Sequence, residues 1–263
     1  MIAVLKVGGS TLEPEPSPAL AAAVARAWAA GMKLLIVHGG GKALSGLSQR
    51  LGLQTQFVRG LRVTDGPTLD AALMALGGAV NTRLVAALQA AGVASVGLTG
   101  ADGGSVRARM AQRELGAVGE VVEVHAALWQ LLLERGFTPV VACLASDGAG
   151  GLLNVNADLF AAAAATALRA ERLAFLTDVE GVLDAEGIRM PRASLSELEA
   201  LSAAGALTGG MLPKADACRA ALAGGAEWVE ILGPAAAARL DEALAGGLDS
   251  PSAGTRITNR TTI

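Results

Sequence analysis

Met1-Ile-Ala-Val-Leu-Lys-Val-Gly-Gly-Ser10 opens the chain with an apolar run, a lysine and a glycine pair. Residues 2–5 have the continuous hydrophobicity of a strand buried on both faces of a parallel sheet. Ligands of such sheets sit beyond the carboxyl ends of the strands. Gly8 and Gly9, lacking Cβ atoms, let a ligand approach their backbone N–H groups, and Lys6 adds a positive charge just before them. The stretch therefore reads as a strand ending in an anion site.

The next segments repeat the design. Residues 19–30 form an alanine-rich helix with Pro18 at its first turn, and Gly31 ends it. Residues 33–38 form a second strand, followed by Gly39-Gly-Gly-Lys42 and a helix to about residue 51. A strand, a glycine turn and a helix N-terminus present unpaired amides to an anion, and the helix dipole favours negative charge there. Neither GxxxxGK[ST] nor GxGxxG is present, which argues against a P-loop or a dinucleotide fold.

Residues 57–64 read as a short hairpin whose Arg62 can grip a carboxylate with two parallel hydrogen bonds. A long apolar helix follows over 68–91, with a face that needs a partner or a second subunit. Strands are expected at 93–99, 107–110, 118–124 and 138–143, with a helix over 126–135. Asn154, Asn156 and Asp158 cluster just before a helix over 159–168; one of them suffices as a cap, leaving polar groups for other work. Thr177-Asp178 ends a strand over 173–176, and a hairpin is expected around 184–187. Gly209-Gly-Met-Leu-Pro-Lys214 again brings glycines and a lysine to a helix N-terminus, and a strand over 228–232, a helix over 235–245 and a strand over 254–257 close the chain.

This alternation predicts an α/β fold, an open and mainly parallel sheet with helices on both faces, as a single domain over 1–263. Its N-terminal lobe is expected over about 1–170 and its C-terminal lobe over about 171–263. The 263 residues are 52% hydrophobic, and the net charge is −3 with scattered Lys and Arg, which disfavours nucleic acid as a partner. Cys143, Cys218, His38 and His125 make no soft-ligand metal site. The chain shows no signal segment and no uninterrupted apolar run of membrane-span length, so a soluble, cytoplasmic protein with no membrane partner is expected.

The candidate site then holds Lys6, Lys214, Asp158, Asn154, Arg62, Asp178 and several glycine amides. It has no GxSxG elbow and no Cys–His pair. Phosphoryl transfer requires neither, because the enzyme mainly positions the groups and neutralises charge on the transferring oxygens.

Lys6-Val-Gly-Gly-Ser10, His38-Gly-Gly-Gly-Lys42, Gly60-Leu-Arg-Val-Thr64, Gly97-Leu-Thr-Gly-Ala-Asp-Gly-Gly104, Asn154-Val-Asn-Ala-Asp158, Thr177-Asp-Val-Glu-Gly-Val182 and Gly209-Gly-Met-Leu-Pro-Lys214 follow in that order. This series resembles the amino acid kinase family over essentially the whole chain. Within the family it is most similar to members that phosphorylate the γ-carboxylate of N-acetyl-L-glutamate in arginine biosynthesis. The resemblance implies ATP, with Mg²⁺ bound through the nucleotide phosphates and no metal site on the protein. It implies that Lys6 and Lys214 stabilise the transferring phosphoryl group and that Asp158 orients them. Gly40, Gly41, Arg62 and Asn154 would hold the amino-acid substrate. Gly8, Gly9, Thr177, Asp178, Val182, Gly209, Gly210 and Met211 would border the nucleotide.

Thr99 and Ala101 depart from the Ser and Lys common in the family. The arginine-inhibited hexamers carry a helix ahead of the first strand, and here the chain begins at the strand, so a homodimer is expected. Two other readings are a kinase of carrier-bound aminoadipate and a non-catalytic binding member of the fold.

Overall fold

The computed structural model describes residues 1–8, 11–12, 15–58, 60–184, 186–207, 209–247 and 252–259. Gly9 and the terminal residues 261–263 lie outside them. In chain order the first half comprises β1 (Ile2–Val7), α1 (Pro18–Ala29), β2 (Lys33–His38), α2 (Gly41–Arg50), the hairpin β3 (Phe57–Val58) and β4 (Leu61–Arg62), and α3 (Gly66–Ala72). A π-helical segment, Leu73–Val80, joins α3 to α4 (Asn81–Ala90). Then come β5 (Ser95–Thr99), β6 (Val106–Met110), β7 (Val118–Val124), α5 (Ala127–Glu134), β8 (Thr138–Ala142), β9 (Leu144–Ser146), β10 (Leu152–Val155) and α6 (Ala157–Leu168). The second half comprises β11 (Arg172–Leu176), β12 (Arg192–Ser194), α7 (Leu195–Ala203), α8 (Met211–Ala223), β13 (Trp228–Leu232), a 3₁₀ turn at Pro234–Arg239, α9 (Leu240–Ala245) and β14 (Thr255–Thr258).

Eight strands form the main sheet in the order β12-β14-β13-β11-β1-β2-β8-β5. All its ladders are parallel except β13–β14. β1 lies at the centre, with first-half strands on one side and second-half strands on the other.

The period of two along β1 splits its side chains between two cores. Ala3, Leu5 and Val7 face one layer, with Leu20 and Val24 of α1, Leu84 and Leu88 of α4, and Leu240 and Leu244 of α9. Val4 faces the other, with Trp129 of α5, Phe160 of α6 and Cys218 of α8. The expected helices on both faces are thus present. Lys6 shares the phase of Val4, so the same alternation aims it at α6 and α8.

Two features were not legible in the sequence. The two short strands β9 and β10 join β6 and β7 in a small closed sheet. The long helix is not uniformly α-helical, because its middle eight residues take π geometry. The 25 residues of Gly66–Ala90 include an 18-residue window of mean hydropathy 1.5, long and apolar enough for a membrane span. Leu76, Leu84 and Leu88 of this stretch are nonetheless buried in the two cores.

Candidate active site

At the carboxyl end of β1, Lys6 Nζ lies 3.0 Å from Asp158 Oδ1. Lys214 Nζ, from the first turn of α8, lies 2.8 Å from the other oxygen, Oδ2. One carboxylate thus bridges two ammonium groups that are 208 positions apart in the chain. All three groups are largely withdrawn from solvent, and Lys214 also stands 4.9 Å over the ring of Phe175 on β11.

Burial alone would raise the pKa of Asp158, but Lys6 and Lys214 outweigh it and hold the carboxyl below its usual range. Burial, with Lys6 adding repulsion, lowers the pKa of Lys214 despite its contact with Asp158. Two ammonium groups on one carboxylate leave a net positive charge in a poorly solvated place. Such a charge is costly unless an anion joins it.

The sequence places Asp158 there through a division of labour among three polar residues. Asn156 is the cap of α6; its Oδ1 accepts hydrogen bonds from the N–H groups of Asp158 (2.9 Å) and Leu159 (3.1 Å). Asp158 is then free to project from the first turn. Asn154 lines the cleft from β10, and its Nδ2 donates to Thr64 Oγ1 at 3.3 Å.

The cleft has a volume of about 560 Å³ and is walled by Gly39, Gly40, Gly41, Arg62, Asn154 and Asp178, among others. Arg62 is held by the Gly41 carbonyl (3.1 Å), Ser45 Oγ (2.7 Å) and Thr55 Oγ1 (3.1 Å), and it lies over the Phe57 ring. Among the described residues no carboxylate pairs with it, so a largely buried guanidinium in the cleft wall keeps capacity for an incoming one. α2 begins at Gly41, where its first amides open toward the same space.

Two glycines leave room at the site, and the backbone conformation demands glycine at the second of them. A Cβ at Gly8 would stand 2.8 Å from Lys6 Nζ. A Cβ at Gly40, whose φ is 154°, would stand 2.8 Å from Leu76 Cδ2 of the π segment.

Of the remaining residues singled out from the sequence, Thr177 and Asp178 directly follow β11, and the Gly209 carbonyl lies close to Gly60 at the hairpin tip. Gly210 caps α8, and Met211 packs partly against the core. Val182 turns its side chain into the core and donates its N–H to Thr255 Oγ1. Sequence reasoning missed His38 and Asn81, which meet beneath the glycine turn, and Cys143 in the cleft wall. Asn81 carried one available signal: a poor helix former inside an apolar helix.

A buried cationic triad, a glycine turn opening a helix and a cleft at the carboxyl ends of parallel strands form an anion-handling α/β site. The amino acid kinase family model matches residues 1–232, and the chain belongs to that family. Its relatives narrow the class. Acetylglutamate kinase of Solibacter usitatus is 44% identical over 244 residues, spanning 92% of this chain and 95% of the relative. The acetylglutamate kinase of Acidobacterium capsulatum is 45% identical over 240 residues, spanning 90% and 92%. A solved N-acetylglutamate synthase of Neisseria gonorrhoeae, complexed with coenzyme A and N-acetyl-glutamate, superposes with a TM-score of 0.86 at 27% identity. That superposition covers 99% of this chain and 60% of the synthase.

Proposed function

We propose that this chain transfers the γ-phosphoryl group of ATP to the γ-carboxylate of N-acetyl-L-glutamate, giving an acyl phosphate and ADP. The observation that carries the reading is Asp158 bridging Lys6 and Lys214 at 3.0 and 2.8 Å, in a chain whose curated relatives are acetylglutamate kinases.

The substrate carboxylate is ionised near neutral pH, so the transfer needs no general base from the protein. One of its oxygens attacks the γ-phosphorus while the bond to the β–γ bridging oxygen breaks, and that electron pair leaves on ADP. Lys6 and Lys214 neutralise the equatorial and leaving oxygens. Asp158 keeps both ammonium groups at the reacting centre between turnovers.

Gly40 and Gly41 offer amides to the phosphoryl oxygens and to the substrate, while Gly8, whose own N–H is taken by the Leu176 carbonyl, leaves room for the phosphates beside Lys6. Arg62 clamps the α-carboxylate, and Asn154 holds the acetylated amino acid. The nucleotide lies against the second half of the chain, bordered by Thr177, Asp178 and the 209–211 turn, while the first half holds the amino acid. Asp158 is committed to two ammonium groups, so Mg²⁺ would be carried by the ATP phosphates, where it supplies further charge neutralisation. The helical stretch Gly66–Ala90, with Met74 exposed, supports a homodimer.

The test is a coupled ADP-release assay with Mg-ATP and N-acetyl-L-glutamate, glutamate, N-acetyl-aspartate or aspartate, using hydroxylamine to trap acyl phosphate. Turnover confined to N-acetyl-L-glutamate, with hydroxamate formed, is expected. Turnover on none of the four would sink the reading.

A further inference from the structure

His38 is fully buried at the end of β2, next to the glycine turn, yet the phosphoryl-transfer scheme gives it no part. Its Nδ1 lies 2.8 Å from the Gly39 carbonyl, and its Nε2 lies 2.9 Å from Asn81 Nδ2. The carbonyls of Val140 on β8 (2.9 Å) and Leu98 on β5 (3.2 Å) also lie within hydrogen-bond distance of Asn81 Nδ2, so its two protons are shared among three acceptors. An amide nitrogen only donates, so Nε2 must be the acceptor and Nδ1 must carry the proton given to Gly39. Burial lowers the pKa of His38 to about 4, which keeps this neutral ring in place at physiological pH.

The Gly39–Gly40 peptide is planar and trans, so its carbonyl and N–H point in opposite directions. With the carbonyl drawn toward the buried imidazole, the Gly40 N–H is turned away from the core, toward the cleft that Gly39, Gly40 and Gly41 line. No backbone acceptor takes that N–H among the described residues.

The π segment supplies the other half of the frame. Leu76 and Val80 lie against the Cα of Gly40, and Asn81 follows directly. In an α-helix a residue at i+5 points well away from i. The wider i→i+5 turn of a π-helix brings it back to the same side. Leu76, Val80 and Asn81 can therefore all face the glycine turn. Gly97 on β5 completes the fit, because a Cβ there would collide with Asn81 Oδ1.

We propose that His38 and Asn81 are positioning residues for the reaction: together they lock the Gly39–Gly40 peptide so that the Gly40 N–H is aimed at the anionic oxygens of the reacting substrates. The proposal rests on the kinase reading above and adds the groups that preorganise its anion site. Misplacing a donor by an ångström can lower turnover about 10²-fold, with little effect on groups that bind elsewhere.

The test exploits the two ring nitrogens. An asparagine amide at position 38 reaches the place of Nδ1 and can still donate to Gly39, whereas a glutamine amide reaches only the place of Nε2. His38→Leu and His38→Gln should each lose about 10²-fold in kcat with the KM for ATP changed less than about twofold, while His38→Asn recovers to within about tenfold of wild type. Asn81→Leu should fall between these, because it frees the ring without removing it. Equal losses in all three His38 variants, losses that follow only the folded fraction, or wild-type kcat in His38→Leu would each overturn the proposal.

A measurement without turnover separates this proposal from the functional reading. Two-bond ¹H–¹⁵N spectra at pH 7 should show His38 as the neutral Nδ1–H tautomer; the Nε2–H tautomer or an imidazolium refutes the frame. If the wild type shows the Nδ1–H form but phosphorylates no acetylglutamate, the functional reading fails. The Gly40 amide resonance then decides the proposal. A shift on adding inorganic phosphate that is lost in His38→Leu supports it, and the same response in both proteins overturns it.

Discussion

Lys214 and Arg62 are both cations beside one cleft, but their surroundings assign them different work. Lys214 is buried against Asp158 and the Phe175 ring, where a phosphoryl group losing its bond would concentrate negative charge. Lys214→Ala should therefore lower kcat by on the order of 10²–10³, with a much smaller change in nucleotide affinity measured by equilibrium titration. Arg62 is held by neutral partners, and in the proposed reaction it would act on a group that carries the same charge before and during transfer. Arg62→Ala should mainly raise the KM for the amino acid, and steady-state kinetics with an unchanged KM would remove it from the substrate site. His38 predicts an effect on stability in addition to the one on rate. Its folded pKa, lowered by burial to about 4, lies below the value near 6.5 of an exposed imidazole, so the unfolded chain binds the proton first. Its contribution is complete above about pH 6.5 and is lost as the pH falls toward 4, to a total of up to about 3 kcal/mol. Urea titrations from pH 7 to 4 should show this slope in the wild type and its removal in His38→Asn.

The elements that carry the site were legible where one rule governs one element. Strand β1 followed from its apolar run, and α2 and α8 followed from glycines that open helices beside lysines. The Asn154–Asp158 stretch was legible only as an excess of polar groups; which one caps α6 depends on backbone geometry that composition does not carry. The π segment was illegible for a different reason. Its apolar spacing fits an α-helix well enough, and its packing against Gly40, a residue of a distant element, is not written in the local pattern. Gly77 and Gly78 sit in this widened stretch with different surroundings. A Cβ at Gly77 would meet Leu144 and Thr99 at 3.4 Å, whereas a Cβ at Gly78 meets nothing within 4 Å. Gly78→Ala should thus stabilise the protein by about 0.5–1 kcal/mol, because alanine loses less backbone entropy in a helix. Denaturant melts check this, and a destabilised variant would show that the face at residue 78 is already covered.

At the scale of the whole molecule, the two halves of the chain share one sheet instead of packing as separate bodies. The join is the β1–β11 ladder, in register from Ala3 opposite Arg172 to Val7 opposite Leu176. Sequence alternation indicated a parallel sheet, but it could not show that the first strand would lie at the centre with each half on one side of it. Strand order depends on crossovers, and a local hydrophobic pattern does not record which strand a crossover passes. The arrangement has a thermodynamic consequence. Opening either half strips β1 of a neighbour and exposes the core it shares with α6, so neither half keeps a complete buried sheet alone. Unfolding should then be a single cooperative transition despite a length at which two-unit behaviour is common. Trp129 and Trp228 report on opposite halves, since both are buried and belong to α5 and β13. Variants with Trp28 and one of these two replaced by Phe should give fluorescence midpoints in urea that coincide with each other and with circular dichroism. Midpoints separated beyond error would mean that the β1–β11 ladder yields before the halves it joins.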